Sequence, residues 1–175
     1  MKALFLDRDG IINRDYGYVS KRDKFVFTEG IFEFLQLFIS KGYTLFIVTN
    51  QSGIGRGYYS EDDFKVLTQW MIQSFREKDI NIEEVYYCPH APEQNCKCRK
   101  PSIGMITQAL NTYPIDLESS WMIGDKESDI MLARNATIAH TIFIGEESHS
   151  NALFSFGSVA EAKIYFESNK EKIHG

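Results

Sequence analysis

Proline, cysteine and positive charge are all scarce in this chain, and long apolar runs are missing. Four prolines in 175 residues leave little material for a linker between domains, and no internal repeat or low-complexity stretch occurs. Apolar runs such as Leu45-Phe46-Ile47-Val48 stay far below the roughly 18 residues that a membrane-spanning helix needs. Met1-Lys2 leads straight into Ala3-Leu4-Phe5-Leu6, which is too short for the apolar centre of a secretory signal. The 19 Lys and Arg are outnumbered by 24 Asp and Glu, and a net charge of −5 does not suit a duplex-DNA binder. Three cysteines make an odd count, which does not suit a secreted disulfide framework. The remaining make-up, 43% apolar and 25% charged, is that of an ordinary globular domain. These readings predict one domain over residues 1–175, in the cytoplasm, with neither nucleic acid nor membrane as a partner.

Short apolar runs alternate with longer amphipathic ones. Lys2–Leu6, Thr44–Val48, Val85-Tyr86-Tyr87, Trp121-Met122-Ile123 and Thr141–Ile144 read as buried strands. Between them, Ile31, Phe32, Leu35, Phe38 and Ile39 share a helical face that stops at Gly42. A second helix opens at Ser60 with Asp63 three residues on, a capping-box pattern, and its apolar face is Phe64, Leu67, Met71 and Phe75. Further helical patterns run from Ile103 to Leu110 and from Lys126 to Ala133, and Ser158 with Glu161 predicts a capping box before a final helix. Such alternation predicts an α/β fold, a Rossmann-like parallel sheet with helices on both faces.

In such sheets ligands bind beyond the carboxyl ends of the strands, so the residues following each run matter most. They are Asp7-Arg8-Asp9-Gly10, then Thr49-Asn50-Gln51-Ser52-Gly53, then a cysteine-containing loop ending in Arg99-Lys100-Pro101, then Gly124-Asp125-Lys126. Acid, hydroxyl, cation and acid at one edge match the needs of phosphoryl transfer. Asp7 can be a nucleophile, and Asp9, two residues on along extended chain, can act as general acid and base. Gly10 lets the backbone approach a phosphate, Thr49 offers a hydroxyl, Lys100 a compact positive charge, and Asp125 a hard oxygen for Mg2+.

With these residues the chain resembles the haloacid-dehalogenase superfamily of phosphohydrolases. The resemblance implies Asp7 as nucleophile, Asp9 as acid/base, Thr49 and Lys100 as phosphate binders, and Asp7, Asp125 and the Asp9 carbonyl as Mg2+ ligands. Lys126 and Asp129 are candidates for support, Asp129 being either a second layer behind the ligands or an acid on the helix surface. Phe5-Leu6-Asp7-Arg8-Asp9-Gly10, Gly17-Tyr18-Val19, Thr49 to Gly57 and Cys98-Arg99-Lys100-Pro101 are similar to the heptose 1,7-bisphosphate 7-phosphatase family, over about residues 2 to 134. That family implies removal of the C7 phosphate on the route to ADP-heptose and the lipopolysaccharide core. Histidinol-phosphatase is the nearest alternative. A phospho-accepting receiver domain also uses Asp, Thr and Lys, but lacks a general acid at the position of Asp9. An idle zinc-loop module would not need Asp7, Asp9, Lys100 and Asp125 together. One departure stands out: where such enzymes carry Ala and Gly repeats, this chain has Ala133-Arg134-Asn135-Ala136-Thr137 without glycine, which bears on the packing of the last strand.

Cys88-Pro89-His90 and Cys96-Lys97-Cys98 together offer three thiolates and one imidazole, a closed tetrahedral set for structural Zn2+ in a small loop over 88–98. The alternative is a disulfide with a spare thiol, which a reducing cytosol disfavours. A metal clip there would fix Arg99 and Lys100 against the phosphate. His140, His149 and His174 have no ligand-spaced partner and read as surface or turn residues. The short connections leave no room for a cap domain, so the site is expected to be open and ringed by the loops Arg14–Val19, Ser52–Gly57 and Ala91–Arg99. Arg8, Arg14, Arg56 and Arg99 lie in those loops or at the strand end, predicting a basic mouth for a small sugar bisphosphate. Arg56 and Arg99 are candidates for its distal phosphate, with Asn50 and Gln51 facing hydroxyls or holding their own turn. The expected assembly is a monomer.

Overall fold

The computed structural model describes residues 1–173; His174 lies outside the described residues. Six strands form one parallel sheet: β1 (Lys2–Leu6), β2 (Tyr43–Asn50), β3 (Ile82–Cys88), β4 (Asp116–Gly124), β5 (His140–Ile144) and β6 (Phe154–Phe156). Their spatial order is β3-β2-β1-β4-β5-β6. The chain therefore steps outward from β1 in one direction, then returns to pair β4 with β1 and steps outward in the other. That reversal opens a crevice at the carboxyl ends of β1 and β4.

The helices are α1 (Ile31–Ser40), α2 (Ser52–Gly55), α3 (Glu61–Arg76), α4 (Gly104–Thr112), α5 (Glu127–Asn135) and α6 (Val159–Ser168). Strand alternation divides the core in two. Leu4, Leu6, Leu45, Ile47, Trp121 and Ile123 pack with α1, α3 and α6 on one face. Ala3, Phe5, Phe46, Val48 and Met122 pack with α4 and α5 on the other. On α3, Phe64, Leu67, Met71 and Phe75 are the buried residues, as their helical spacing predicts. Each such side chain contributes roughly 1.5–3 kcal/mol by leaving water. Ser60 and Asp63 cap this helix reciprocally, at 3.0 and 2.9 Å.

The structure corrects several boundaries. β4 begins five residues before Trp121, because Asp116 pairs beside Lys2 and the register then shifts between Lys2 and Leu4. Its polar leading end has no apolar signature. β6 is an unanticipated three-residue strand, and α2 an unanticipated single turn. The box expected at Ser158 is only half formed: Ser158 accepts from the Glu161 N–H, but the Glu161 carboxylate accepts from Gly157 instead.

The glycine-free stretch after α5 does not prevent an ordinary helix end. Thr137 takes the left-handed conformation (φ 61) where glycine is favoured. The Ile138 N–H donates to Ala133 (2.9 Å) and the Thr137 N–H to Arg134 (3.2 Å), completing a Schellman closure that delivers the chain into β5.

Candidate active site and metal-binding clusters

Asp7 immediately follows β1, and its N–H donates to the Ile123 carbonyl of β4 at 3.0 Å, so the sheet holds the chain up to this residue. Lys100 leaves the loop after β3 and reaches into the crevice. Its Nζ donates to Asp7 Oδ1 (2.8 Å) and to the Val48 carbonyl (2.9 Å), and lies 2.6 Å from Asp129 Oδ1. Asp7, Lys100 and Asp129 are all buried, Asp129 completely, so Asp129 is not an acid of the helix surface. It sits in the first turn of α5, where its other oxygen accepts from the Lys126 N–H at 3.1 Å. Burial, aided by Asp129 and Asp125 and opposed by Lys100, pushes the Asp7 carboxyl up to about 7. Burial alone would lower the Lys100 ammonium, but Asp129 and Asp7 outweigh it and the group is raised.

Asp125 follows β4 and faces Gly10. Gly10 has φ +95, and a Cβ there would stand 2.1 Å from Asp125 Oδ2, so both the turn and the close approach require glycine. Carboxylate oxygens of Asp7, Asp125 and Asp129 lie within 4.8 Å of one another. Burial also raises Asp125, although the Lys126 ammonium, 3.1 Å away, opposes it. Hard oxygen donors crowded together in this way suit Mg2+. Asp129 thus adds a carboxylate to the pair expected from the sequence.

The Asp9 carboxylate is turned to other partners. It accepts from Arg8 Nη2 (2.8 Å) and Nε (3.2 Å), from Asn13 Nδ2 (3.0 Å) and from Gln51 Nε2 (3.0 Å). Burial works against its charge, but Arg8, then Asn13 and Gln51, outweigh burial and hold the carboxyl below its usual range. Arg8 is therefore not at the mouth. It is 1% exposed, donates to the Val19 carbonyl at 2.6 Å, and lies about 5.9 Å from the rings of both Phe25 and Phe64.

Other expected contacts are also redirected. Thr49 is wholly buried, its hydroxyl accepting from Gln51 Nε2 at 2.9 Å. Gln51 is 2% exposed and its Oε1 accepts from the Tyr59 hydroxyl at 2.5 Å, although both it and Asn50 still line the crevice. Asn50 grips Lys100 by its backbone, accepting from its N–H at 3.0 Å and donating to its carbonyl at 3.4 Å. Arg56 faces Glu93 at 3.7 Å, and neither it nor the exposed Arg14 lines the crevice. Arg99 does line it, and its buried Nη1 has no partner among the described residues.

The crevice is an open cavity of about 340 Å³ reached by Asp7, Asp9, Arg99, Lys100 and Lys126. Tyr18 of the Gly17-Tyr18-Val19 segment lines it as well, as do Asp15 and Tyr59, which had not been singled out by sequence. Asn13, four residues after Asp9 and wholly buried, was overlooked as well; a tight turn after Gly10 brings it back to Asp9. No cap stands over the cavity among the described residues.

The Cys88, His90, Cys96 and Cys98 ligand atoms lie within 4.8 Å of one another. The sulfurs of Cys88 and Cys98 are 3.0 Å apart and those of Cys88 and Cys96 3.4 Å, well beyond the roughly 2.05 Å of a disulfide. His90 Nδ1 stands 3.2 Å from the Cys98 sulfur. Backbone N–H groups of Arg99 and Cys98, with the neighbouring thiols, outweigh burial and draw Cys96 down to about 6. A closed set of soft donors of this kind suits Zn2+.

A parallel sheet carrying this acid, hydroxyl, lysine and acid at its switch point is the arrangement of the haloacid-dehalogenase phosphohydrolases. The Hydrolase_like (HAD-hydrolase-like) family model matches residues 97–164. The chain is 53% identical over 144 residues to D-glycero-beta-D-manno-heptose-1,7-bisphosphate 7-phosphatase of Helicobacter pylori (strain ATCC 700392 / 26695), covering 82% of this chain and 83% of that one. It is 44% identical over 167 residues to D-glycero-alpha-D-manno-heptose-1,7-bisphosphate 7-phosphatase of Campylobacter jejuni, covering 95% and 96%. The solved D,D-heptose 1,7-bisphosphate phosphatase of B. bronchiseptica, complexed with magnesium and phosphate, superposes with a TM-score of 0.82 at 23% identity, over 97% of this chain and 99% of that one. The chain belongs to the D-glycero-D-manno-heptose-1,7-bisphosphate 7-phosphatase family.

Proposed function

We propose that this chain removes the C7 phosphate of D-glycero-D-manno-heptose 1,7-bisphosphate, a phosphomonoesterase step in the supply of ADP-heptose for the lipopolysaccharide core. The observation that carries the reading is the convergence of Asp7, Lys100, Asp125 and Asp129 on one buried point at the strand ends, in a chain 53% identical to such an enzyme.

Asp7 attacks phosphorus, and the bond from phosphorus to the sugar C7 oxygen breaks. Asp9 gives that leaving oxygen its proton. Asp9 then takes a proton from water as the water oxygen attacks the aspartyl-phosphate, which frees phosphate and restores Asp7. Lys100 holds Asp7 in place through Oδ1 and faces the incoming negative charge. Asp7, Asp125 and Asp129, with the Asp9 carbonyl that the family resemblance adds, would hold Mg2+, which would supply neutralisation of the phosphoryl oxygens. Zn2+ on Cys88, His90, Cys96 and Cys98 clips the loop that presents Arg99 and Lys100. Arg99 suits the distal phosphate, since it lines the cavity with an unpartnered guanidinium nitrogen. Free thiols at a structural site support a cytoplasmic location.

Phosphate release with Mg2+ from both anomers of heptose 1,7-bisphosphate, histidinol phosphate and fructose 1,6-bisphosphate tests this reading. One heptose anomer should give the highest kcat/KM. A higher value for histidinol phosphate would replace the reading with a histidinol-phosphatase.

A further inference from the structure

Tyr18 stands where stability alone would not put a tyrosine. Its backbone is left-handed (φ 52), a region that favours glycine and is costly for a bulky side chain. Its ring is 50% exposed. The ring fills no core, since it lines both the crevice and a neighbouring open cavity of about 530 Å³. Glycine would relax the backbone, and a small polar residue would suit the surface. Strain of this kind persists only where the surroundings impose it, and it gathers at sites that hold a ligand.

The surroundings fix the ring firmly. Val19, the next residue, is 3% exposed, and its carbonyl accepts from Arg8 Nη2 at 2.6 Å, which ties the chain to the core. Tyr58, just after α2, meets the Tyr18 ring edge to face, with centroids 4.7 Å apart and planes at 85°. Gly53 of α2 lets both neighbouring rings close on the backbone, because a Cβ there would stand 3.0 Å from Tyr18 Cδ1 and 2.2 Å from Tyr59 Cε1. Two loops beside the crevice are thus clasped through aromatic rings. The other side chains lining the crevice, Tyr59 apart, are acids, amides, hydroxyls and cations. These suit phosphate and hydroxyl groups. The carbon-bound hydrogens of a sugar find an apolar face only at Tyr18 and Tyr59, and the Tyr59 hydroxyl is tied back to Gln51 at 2.5 Å.

We propose that Tyr18 is a specificity-determining residue, its ring being the wall against which the carbon chain of the sugar packs while the phosphate lies at Asp7. This deepens the function proposed above and rests on it. A ring already fixed before the substrate arrives loses little freedom on binding, so its contact favours an extended sugar over a phosphate that carries none.

The readout is the ratio of kcat/KM for the heptose bisphosphate to that for acetyl phosphate, which has no sugar. It is measured in wild type, Tyr18→Gly, Tyr18→Phe and Tyr58→Ala, with thermal unfolding alongside. Tyr18→Gly should lower the ratio about tenfold, chiefly through KM for the bisphosphate, as the loss of a well-placed aromatic contact does. Its melting temperature should not fall, because glycine suits the left-handed backbone. Tyr18→Phe keeps the ring and should keep the ratio. Tyr58 does not line the crevice, and Tyr58→Ala removes only the support of the ring. It should lower the ratio about threefold, the low end of coupling between residues in contact, and it decides the matter if Tyr18→Gly does not fold. An unmoved ratio in folded Tyr18→Gly would overturn the inference, as would a ratio in Tyr18→Phe as low as that of Tyr18→Gly. Equal kcat/KM for the two substrates in wild type would instead remove the proposed function, and this inference with it.

Discussion

Gly10→Ala probes the metal cluster without touching a ligand. At φ +95 the backbone is one that L-residues rarely adopt, and an added Cβ would stand 2.1 Å from Asp125 Oδ2 and 2.4 Å from its Cγ. Ordinary contact begins near 3.4 Å, so the carboxylate must retreat by roughly 1.3 Å. It can do so by rotating, which takes it out of the cluster shared with Asp7 and Asp129. Mg2+ demands near-octahedral oxygens at about 2.0–2.1 Å and does not follow a ligand that moves so far. Misorienting a metal ligand costs about 10–100-fold in metal affinity, so the Mg2+ concentration for half-maximal phosphate release should rise by that factor. The backbone conformation adds roughly 1–2 kcal/mol of strain, and the melting temperature should fall by about 2–8 °C. Mg2+ titration of phosphate release, with thermal unfolding alongside, measures both. An unchanged Mg2+ requirement in a folded variant would refute the reasoning, because it would mean that Asp125 does not hold the metal.

Thr137→Gly should stabilise the protein by about 1 kcal/mol, measured by denaturant unfolding, because Thr137 is an exposed β-branched residue at φ 61. Asp7 is raised to about 7, so between the ordinary carboxylate value and pH 7 the metal-free folded state holds a proton that the unfolded state has lost. That contribution to stability is present at low pH and fades as pH rises through 7, while Mg2+ needs the deprotonated form. The Mg2+-induced rise in melting temperature should therefore be larger at pH 8 than at pH 5.5; an equal rise would place the metal away from Asp7. Removing Zn2+ by chelation, or Cys98→Ser, should raise KM for the sugar bisphosphate more than it lowers kcat, by loosening Arg99; unchanged kinetics after proven metal loss would remove the loop's positional role.

What could be read from sequence, and what could not, divides along a physical line. Buried parallel strands are continuous apolar runs, so the positions of Asp7 and Asp125 just beyond their strands and of Thr49 near the end of the apolar run of β2 were legible, as was the helical face Phe64, Leu67, Met71 and Phe75. The Cys88–Cys98 cluster was legible from donor type and spacing alone. Arg8 was misplaced because a cation between two acids reads as a solvated loop, and only Phe25, Phe64 and the Val19 carbonyl, all distant in sequence, draw it inward. Arg56 was misplaced for the same reason, its partner Glu93 belonging to another loop. Asp129 was ambiguous because an acid in the first turn of a helix is favourable whether buried or exposed; the Lys100 ammonium decides it. Sequence spacing reports which element a side chain rides on, not where a long side chain ends.

The grip of Asn50 on Lys100 has a consequence for how the molecule can be altered. Both hydrogen bonds run to the backbone of Lys100, not to its side chain, and they come from the last residue of a central strand. The lysine is thus anchored to the sheet independently of what the preceding ten or so residues do. The Cys88–Cys98 segment can be exchanged for a longer, shorter or cysteine-free loop, and the ammonium would still arrive beside Asp7 as long as Asn50 is kept. Substrate preference and phosphoryl chemistry then become separable parts, one carried by a replaceable rim and the other by the strand ends beneath it.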